Sequence, residues 1–132
     1  MAELRARAND HIEITGFAPD LNQEIARSAL YIAPLITGSG FKNKIAEALA
    51  NGTYVVGTST SVEFLEAGIR NLLTVVDEPV AMADAIVQFL RDPAKYDERT
   101  ARLRDTVREQ FTWGRRAAEL AGLAVSLLGT QS

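Results

Sequence analysis

The sequence predicts an α/β domain: a Rossmann-like parallel sheet with flanking helices, followed by a wholly helical C-terminal part. Three observations carry this. Short apolar runs of strand length alternate with stretches of helical apolar spacing between residues 12 and 76. Each intervening stretch can hold a crossover helix, which parallel neighbours require. Beyond Asp77 the pattern is helical to the end of the chain.

Taken in order, residues 12–15 read as a first strand, ended by Gly16 and the turn Ala18-Pro19-Asp20. Asp20 or Asn22 can cap a helix reaching Ala29, with Leu21, Ile25 and Ala29 facing inward. Residues 30–33 form a strand that Pro34 stops. A helix over about 41–51 places Phe41, Ile45, Ala48 and Leu49 on its apolar side, with Asn43, Lys44, Glu47 and Asn51 opposite. Gly52 ends it, because glycine enters the left-handed conformation readily. Residues 54–57 form a buried strand, 62–67 a small helical segment and 72–76 a further strand. Asp77-Glu78-Pro79 starts a helix whose buried stripe is Met82, Ala83, Ile86, Phe89 and Leu90, and Asp92-Pro93 stops it. Tyr96, Thr100, Leu103 and Val107 mark the next helix, ending near Phe111. Thr112 caps the last, which carries Trp113, Ala117, Leu120, Leu123, Ala124 and Leu127. Four strands are fewer than the five or six of an average sheet, and only a polar lead precedes residue 12. The expectation is one domain over residues 1–132, cut short at its N-terminus.

Composition narrows the chemistry. The 132 residues, 47% hydrophobic and 23% charged, suit one soluble domain with a core. No apolar run reaches bilayer length and the N-terminus is polar, so a cytoplasmic protein without leader or anchor is expected. Zero cysteines exclude disulfides, thiolate metal sites and a cysteine nucleophile. The single histidine, His11, excludes a multi-histidine metal site and leaves a Ser-His-Asp triad little support. A net charge of −3 argues against nucleic acid as a partner.

The most informative stretch is residues 33–52. A helix N-terminus carries partial positive charge, so lysines there are mildly unfavourable unless an anion is bound. Lys42 and Lys44 open this helix, directly after Gly38-Ser39-Gly40-Phe41. Amides of residues 38–41 could converge on phosphate oxygens while the lysines neutralise them, at the carboxyl end of a strand. Glu47 leans back toward the helix start, where its carboxylate could accept from two neighbouring hydroxyls, as a ribose diol offers. The plainer alternative is a solvent-facing glutamate paired with Lys44 or Asn43, worth only a few tenths of a kcal/mol. The glycine loop matches neither the dinucleotide fingerprint nor the phosphate-loop signature, and a simple turn is the other reading.

Several motifs taken together resemble the C-terminal domain of group 1 (family 4) glycosyltransferases. They are Thr15-Gly16-Phe17-Ala18-Pro19-Asp20, then Ala33-Pro34-Leu35 with Gly38 to Lys44, then Glu47-Ala48-Leu49-Ala50-Asn51-Gly52 before Val55-Val56-Gly57-Thr58. The likeness continues through Asp92-Pro93 to Phe111-Thr112-Trp113 and spans roughly residues 12–125. It implies half of a two-domain GT-B architecture. A nucleotide-diphosphate sugar binds this half, and the acceptor binds the missing N-terminal domain. The implied transfer retains anomeric configuration and needs no metal or other cofactor. Glu47 matches the second of two family glutamates, the one that binds the donor ribose; the first falls at Ser39, which is not acidic. The loop is instead similar to a subgroup reading Gly-Ser-Gly-x-Lys-x-Lys, in which Lys42 and Lys44 face the diphosphate with help from the backbone of residues 39–42. Asn43 belongs to the same donor-binding stretch.

By the same resemblance Phe17 and Ala18 lie on the loop that receives the base; a core anchor is the alternative for Phe17. Residues 58–62 border the donor pocket or form only a turn. No residue is assigned a catalytic role, and the isolated chain is expected to transfer little. Partners implied are the nucleotide sugar, an unidentified acceptor and the N-terminal domain, with any peripheral attachment to the inner membrane belonging to that other half. The resemblance also implies that the terminal helix packs toward the N-terminal domain; without that domain Trp113, Leu123, Leu127 and Leu128 would leave an apolar patch, which predicts a dimer or higher oligomer. Two rival readings stay open. One is a GT-B sugar-nucleotide epimerase with its acids in the missing half. The other is a non-catalytic doubly wound regulatory domain, which would need an acidic phosphoacceptor cluster at the strand ends.

Overall fold

The computed structural model describes residues 2–111. A parallel sheet is built from β1 (Leu30–Ala33), β2 (Tyr54–Gly57) and β3 (Thr74–Val75), in that spatial order. Leu30 pairs with Tyr54 and Ala33 with Gly57; Val56 pairs with Thr74 and Gly57 with Val75. Around the sheet lie α1 (Ala2–Arg5), α2 (Leu21–Arg27), α3 (Asn43–Asn51), α4 (Ser59–Val62), α5 (Ala67–Arg70), α6 (Pro79–Arg91) and α7 (Asp97–Gln110), with a 3₁₀ turn at Pro93–Tyr96. The parallel α/β architecture expected from the sequence is present, with α3 crossing from β1 to β2.

All of β2 is buried, as a central parallel strand covered on both faces should be. Tyr54 lies stacked against Phe89 of α6, ring centroids 5.4 Å apart and planes 6° apart, with Tyr96 at 5.0 Å. Val55, one residue on, points to the opposite face. α3 supplies Ile45, Ala48 and Leu49 to the core and packs on α2 and α7, whose Leu103 and Val107 are buried. Local chemistry sets most boundaries. Asp20 accepts from the Gln23 amide at 2.9 Å to start α2, and Glu78 accepts from the Val80 amide at 3.1 Å to start α6. Gly52 ends α3 at φ 79°, its amide reaching the Ala48 and Leu49 carbonyls.

Several expectations are corrected. Residues 12–15 form no strand. Asn9 and Ile12 exchange backbone hydrogen bonds of 3.0 and 3.1 Å across Asp10-His11, and the Asn9 side chain accepts from the His11 amide at 2.8 Å. Turn chemistry captured Ile12, and among the described residues no strand pairs with it. Three strands, not four, are therefore found among the described residues. α2 ends at Arg27 with Ile25 as its buried residue, while Leu21 and Ala29 are exposed. The helical segment expected at 62–67 is instead two single turns, α4 and α5. The strand expected at 72–76 shortens to Thr74–Val75. In α6 Met82 and Phe89 are buried and Ile86 is half-buried, whereas Ala83 and Leu90 face solvent. The last helix expected from Thr112, with the apolar patch inferred for self-association, lies outside the described residues.

Candidate functional site

The segment between β1 and α3 leaves the sheet at its carboxyl edge. Two buried hydroxyls hold its first residues. Ser61, fully buried, donates to the Ala33 carbonyl and accepts from the Leu35 amide at 3.3 Å. Thr58 donates to the Leu35 carbonyl, and the two hydroxyl oxygens lie 2.8 Å apart. Gly57 permits this close approach: a Cβ there would lie 3.3 Å from the Ser61 Cβ and 3.4 Å from the Ala33 carbonyl. Residues 58–62, expected to border a pocket or form a turn, thus brace the base of the glycine loop.

In that loop Gly38 and Gly40 have φ of 118° and 87°, a region L-residues rarely enter. Ser39 between them is exposed. Phe41 is not the first residue of the helical apolar face; it precedes the cap. Its ring meets Phe64 and Phe111 edge-on at 4.7 and 5.3 Å. Lys42 is the N-cap of α3 and Lys44 its second residue. No side chain caps this helix and no acid stands in its first turn. α2, α4 and α6 each have a side-chain cap.

The two lysines take different partners. Lys42 Nζ donates to the Gly38 carbonyl at 3.2 Å and to Glu63 Oε1 at 2.8 Å, its side chain 11% exposed. Lys44 Nζ pairs with Glu47 Oε2 at 2.7 Å, with 48% of its side chain exposed. Glu47 leans toward the helix start as expected, and its carboxylate is held by Lys44, the plainer of the two alternatives. Lys44 also borders a hollow of about 470 Å³ formed by the loop 16–22, which contains Phe17, Ala18 and the α2 cap Asp20. Phe17 is 88% exposed, so it is no core anchor. Asn43 and Glu47 line a second hollow, about 810 Å³, walled by Phe41, Ala46, Val107 and Phe111. The structure therefore brings Lys44, Glu47, Phe17 and Ala18 around the N-terminal half of α3. It sets Lys42 with Gly38 toward α4.

Charge at this point reaches the sheet. Burial pushes the Tyr31 phenol of β1 up; Lys44 opposes that shift and Glu47 adds to it. Just after β3 in the chain, the Asp77 carboxylate accepts from the Ser59 hydroxyl at 2.6 Å and the Ser59 amide at 2.7 Å. These bonds hold its carboxyl below the usual 3.8, the hydroxyl contributing most. A depressed carboxyl contributes stability above its unfolded pKa and loses it as pH falls through the folded value. An Asp77→Asn chain should accordingly show a shallower loss of denaturation midpoint below about pH 4; superimposable acid limbs would contradict the tie. Glu63 is the neighbour of Lys42 that sequence reading missed, and no spacing rule marks a partner 21 residues away.

Among the described residues no helix is long and apolar enough to cross a membrane. A family model described as "Glycosyl transferases group 1" matches residues 1–92. The chain is 29% identical over 128 residues to the lipopolysaccharide core biosynthesis mannosyltransferase of Rhizobium leguminosarum bv. viciae, covering 96% of this chain and 36% of that protein. It is 31% identical over 125 residues to the phosphatidyl-myo-inositol mannosyltransferase of Mycobacterium leprae (strain TN), covering 89% of this chain and 33% of that protein. The chain spans about a third of the length of these relatives.

Proposed function

Because the chain belongs to the group 1 glycosyltransferases, we propose that it is the donor-binding part of a retaining enzyme and holds a nucleotide-diphosphate sugar at the start of α3. The observation that carries this is the open N-terminus of α3. It has no side-chain cap and no acid in its first turn, yet it has two lysines and a glycine loop beside it. An anion there gains from the helix dipole, from backbone amides and from two ammonium groups together.

In this reading the diphosphate draws Lys44 away from Glu47, and the freed carboxylate accepts from the ribose hydroxyls. The base enters the hollow at residues 16–22, against Phe17 and Ala18. Charge building on the departing diphosphate is stabilised by groups already in place, which lowers the barrier to transfer. The acceptor, and the groups that orient it, come from the N-terminal half. The names of both relatives specify mannosyl transfer, so a mannose donor is the first to test.

Thermal unfolding with uridine, guanosine and adenosine diphosphates, and with guanosine diphosphate mannose, tests the proposal. A ligand at a hundred times its dissociation constant stabilises by about 2.7 kcal/mol. Lys44→Ala should weaken diphosphates far more than nucleosides, whereas Glu47→Ala should weaken both. No shift with any nucleotide, or identical behaviour of the two variants, would overturn the assignment.

A further inference from the structure

Lys42 differs from Lys44 in how its side chain is held: 11% of it is exposed, against 48% for Lys44. A side chain held that way confines its charge to one place, where an opposite charge close by is favourable. Glu63 meets that need at 2.8 Å, and the Gly38 carbonyl accepts a second hydrogen bond at 3.2 Å. The two partners are unlike in exposure. Lys42 is 11% exposed and Glu63 is 49% exposed. Glu63 also stands at the C-cap of α4, whose start is fixed to the exit of β1 through Thr58 and Ser61. Its backbone is anchored to the loop base, while its side chain has three torsions with which to swing outward. The carboxylate can leave and be solvated at small cost.

We infer that Glu63 is a resident carboxylate standing in for the ligand: it holds Lys42 beside the glycine loop when the site is empty and is displaced by the incoming phosphate. This rests on the donor-site reading above and names the residue that sets the site's affinity for anions. Lys42 then always has one anionic partner, Glu63 or phosphate. The exchange keeps the lysine aimed at the loop between visits, so little ordering remains when the ligand arrives. The same carboxylate selects against weakly charged ligands, because a neutral nucleoside offers nothing to replace it.

The test is calorimetric titration of inorganic diphosphate and of the nucleoside diphosphates into the unaltered chain, Glu63→Gln, Lys42→Met and the double variant. Glu63→Gln, nearly isosteric and half-exposed, should raise affinity about three- to tenfold by removing the competitor. Lys42→Met should lower it by at least about tenfold. In the Lys42→Met background, Glu63→Gln should change nothing. A general effect of deleting a negative charge would persist there, so that arm separates contact from long-range field. Binding by the unaltered chain that Glu63→Gln leaves equal or weaker overturns the Glu63 assignment alone. Binding by none of the four forms removes the donor site and this inference with it. Thermal midpoints of the variants exclude misfolding as the cause.

Discussion

Replacing Tyr54 by alanine is expected to remove about 3–5 kcal/mol of folding stability, read as a fall in denaturation midpoint with unchanged slope. Tyr54 is 1% exposed in the central strand, so the lost ring leaves a void that α6 and the 3₁₀ turn cannot fill. Its stacking on Phe89 and its contact with Tyr96 disappear together. A domain of this size has about 5–15 kcal/mol in total, so the variant would stand near the limit of folding. Tyr54→Phe separates ring from hydroxyl. The hydroxyl lies 3.1 Å from Thr74 Oγ1 and donates to the Leu72 carbonyl at 3.3 Å, tying the two-residue β3 to the sheet. That variant should lose only about 1 kcal/mol. An alanine variant losing less than about 1 kcal/mol would show that the aromatic cluster is not the centre of the core.

The second large effect is expected from the hydroxyl clamp. Ser61→Ala leaves the part-buried Leu35 amide without its acceptor and the Ala33 carbonyl with the Thr58 amide alone, at 3.2 Å. Thr58→Val takes the hydroxyl donor from the Leu35 carbonyl and removes the α4 cap. Each should cost about 1–3 kcal/mol, and the pair less than the sum, because the two hydroxyls touch. Thr58→Ser keeps the hydroxyl and should recover most of the loss. Urea denaturation checks the energies. If Ser61→Ala is neutral within about 0.5 kcal/mol, the clamp does not hold the loop.

Residues whose fate depends on near neighbours were legible. Gly52, Asp20, Glu78-Pro79 and Asp92-Pro93 act within one turn of the backbone, and each ended or began an element where the sequence placed it. β1 and β2 were legible because apolar runs of that length between turn residues have few alternatives. Residues 12–15 were not, because a strand exists only with a neighbour to pair with and no local pattern reveals one. Phe41 has the spacing of a helical core residue, yet two aromatic rings outside α3 hold it before the cap. For the candidate site, the glycine loop, both lysines and Glu47 were visible as residue types at suggestive spacing. The Lys44–Glu47 pair was legible as one of two alternatives; the Lys42–Glu63 pair was not.

The sequence by itself determined the alternation of strands and helices, the absence of cysteine and multi-histidine chemistry, and the placing of two lysines at a helix start after a glycine loop. These follow from composition and from rules acting over a few residues. Only the tertiary structure decided that Lys42 faces Glu63 and that Ser61 reaches back to Ala33. Those pairings span crossovers between parallel strands. Which side chains meet there is set by strand register and by how each helix lies on the sheet, quantities that no window of neighbouring residues contains.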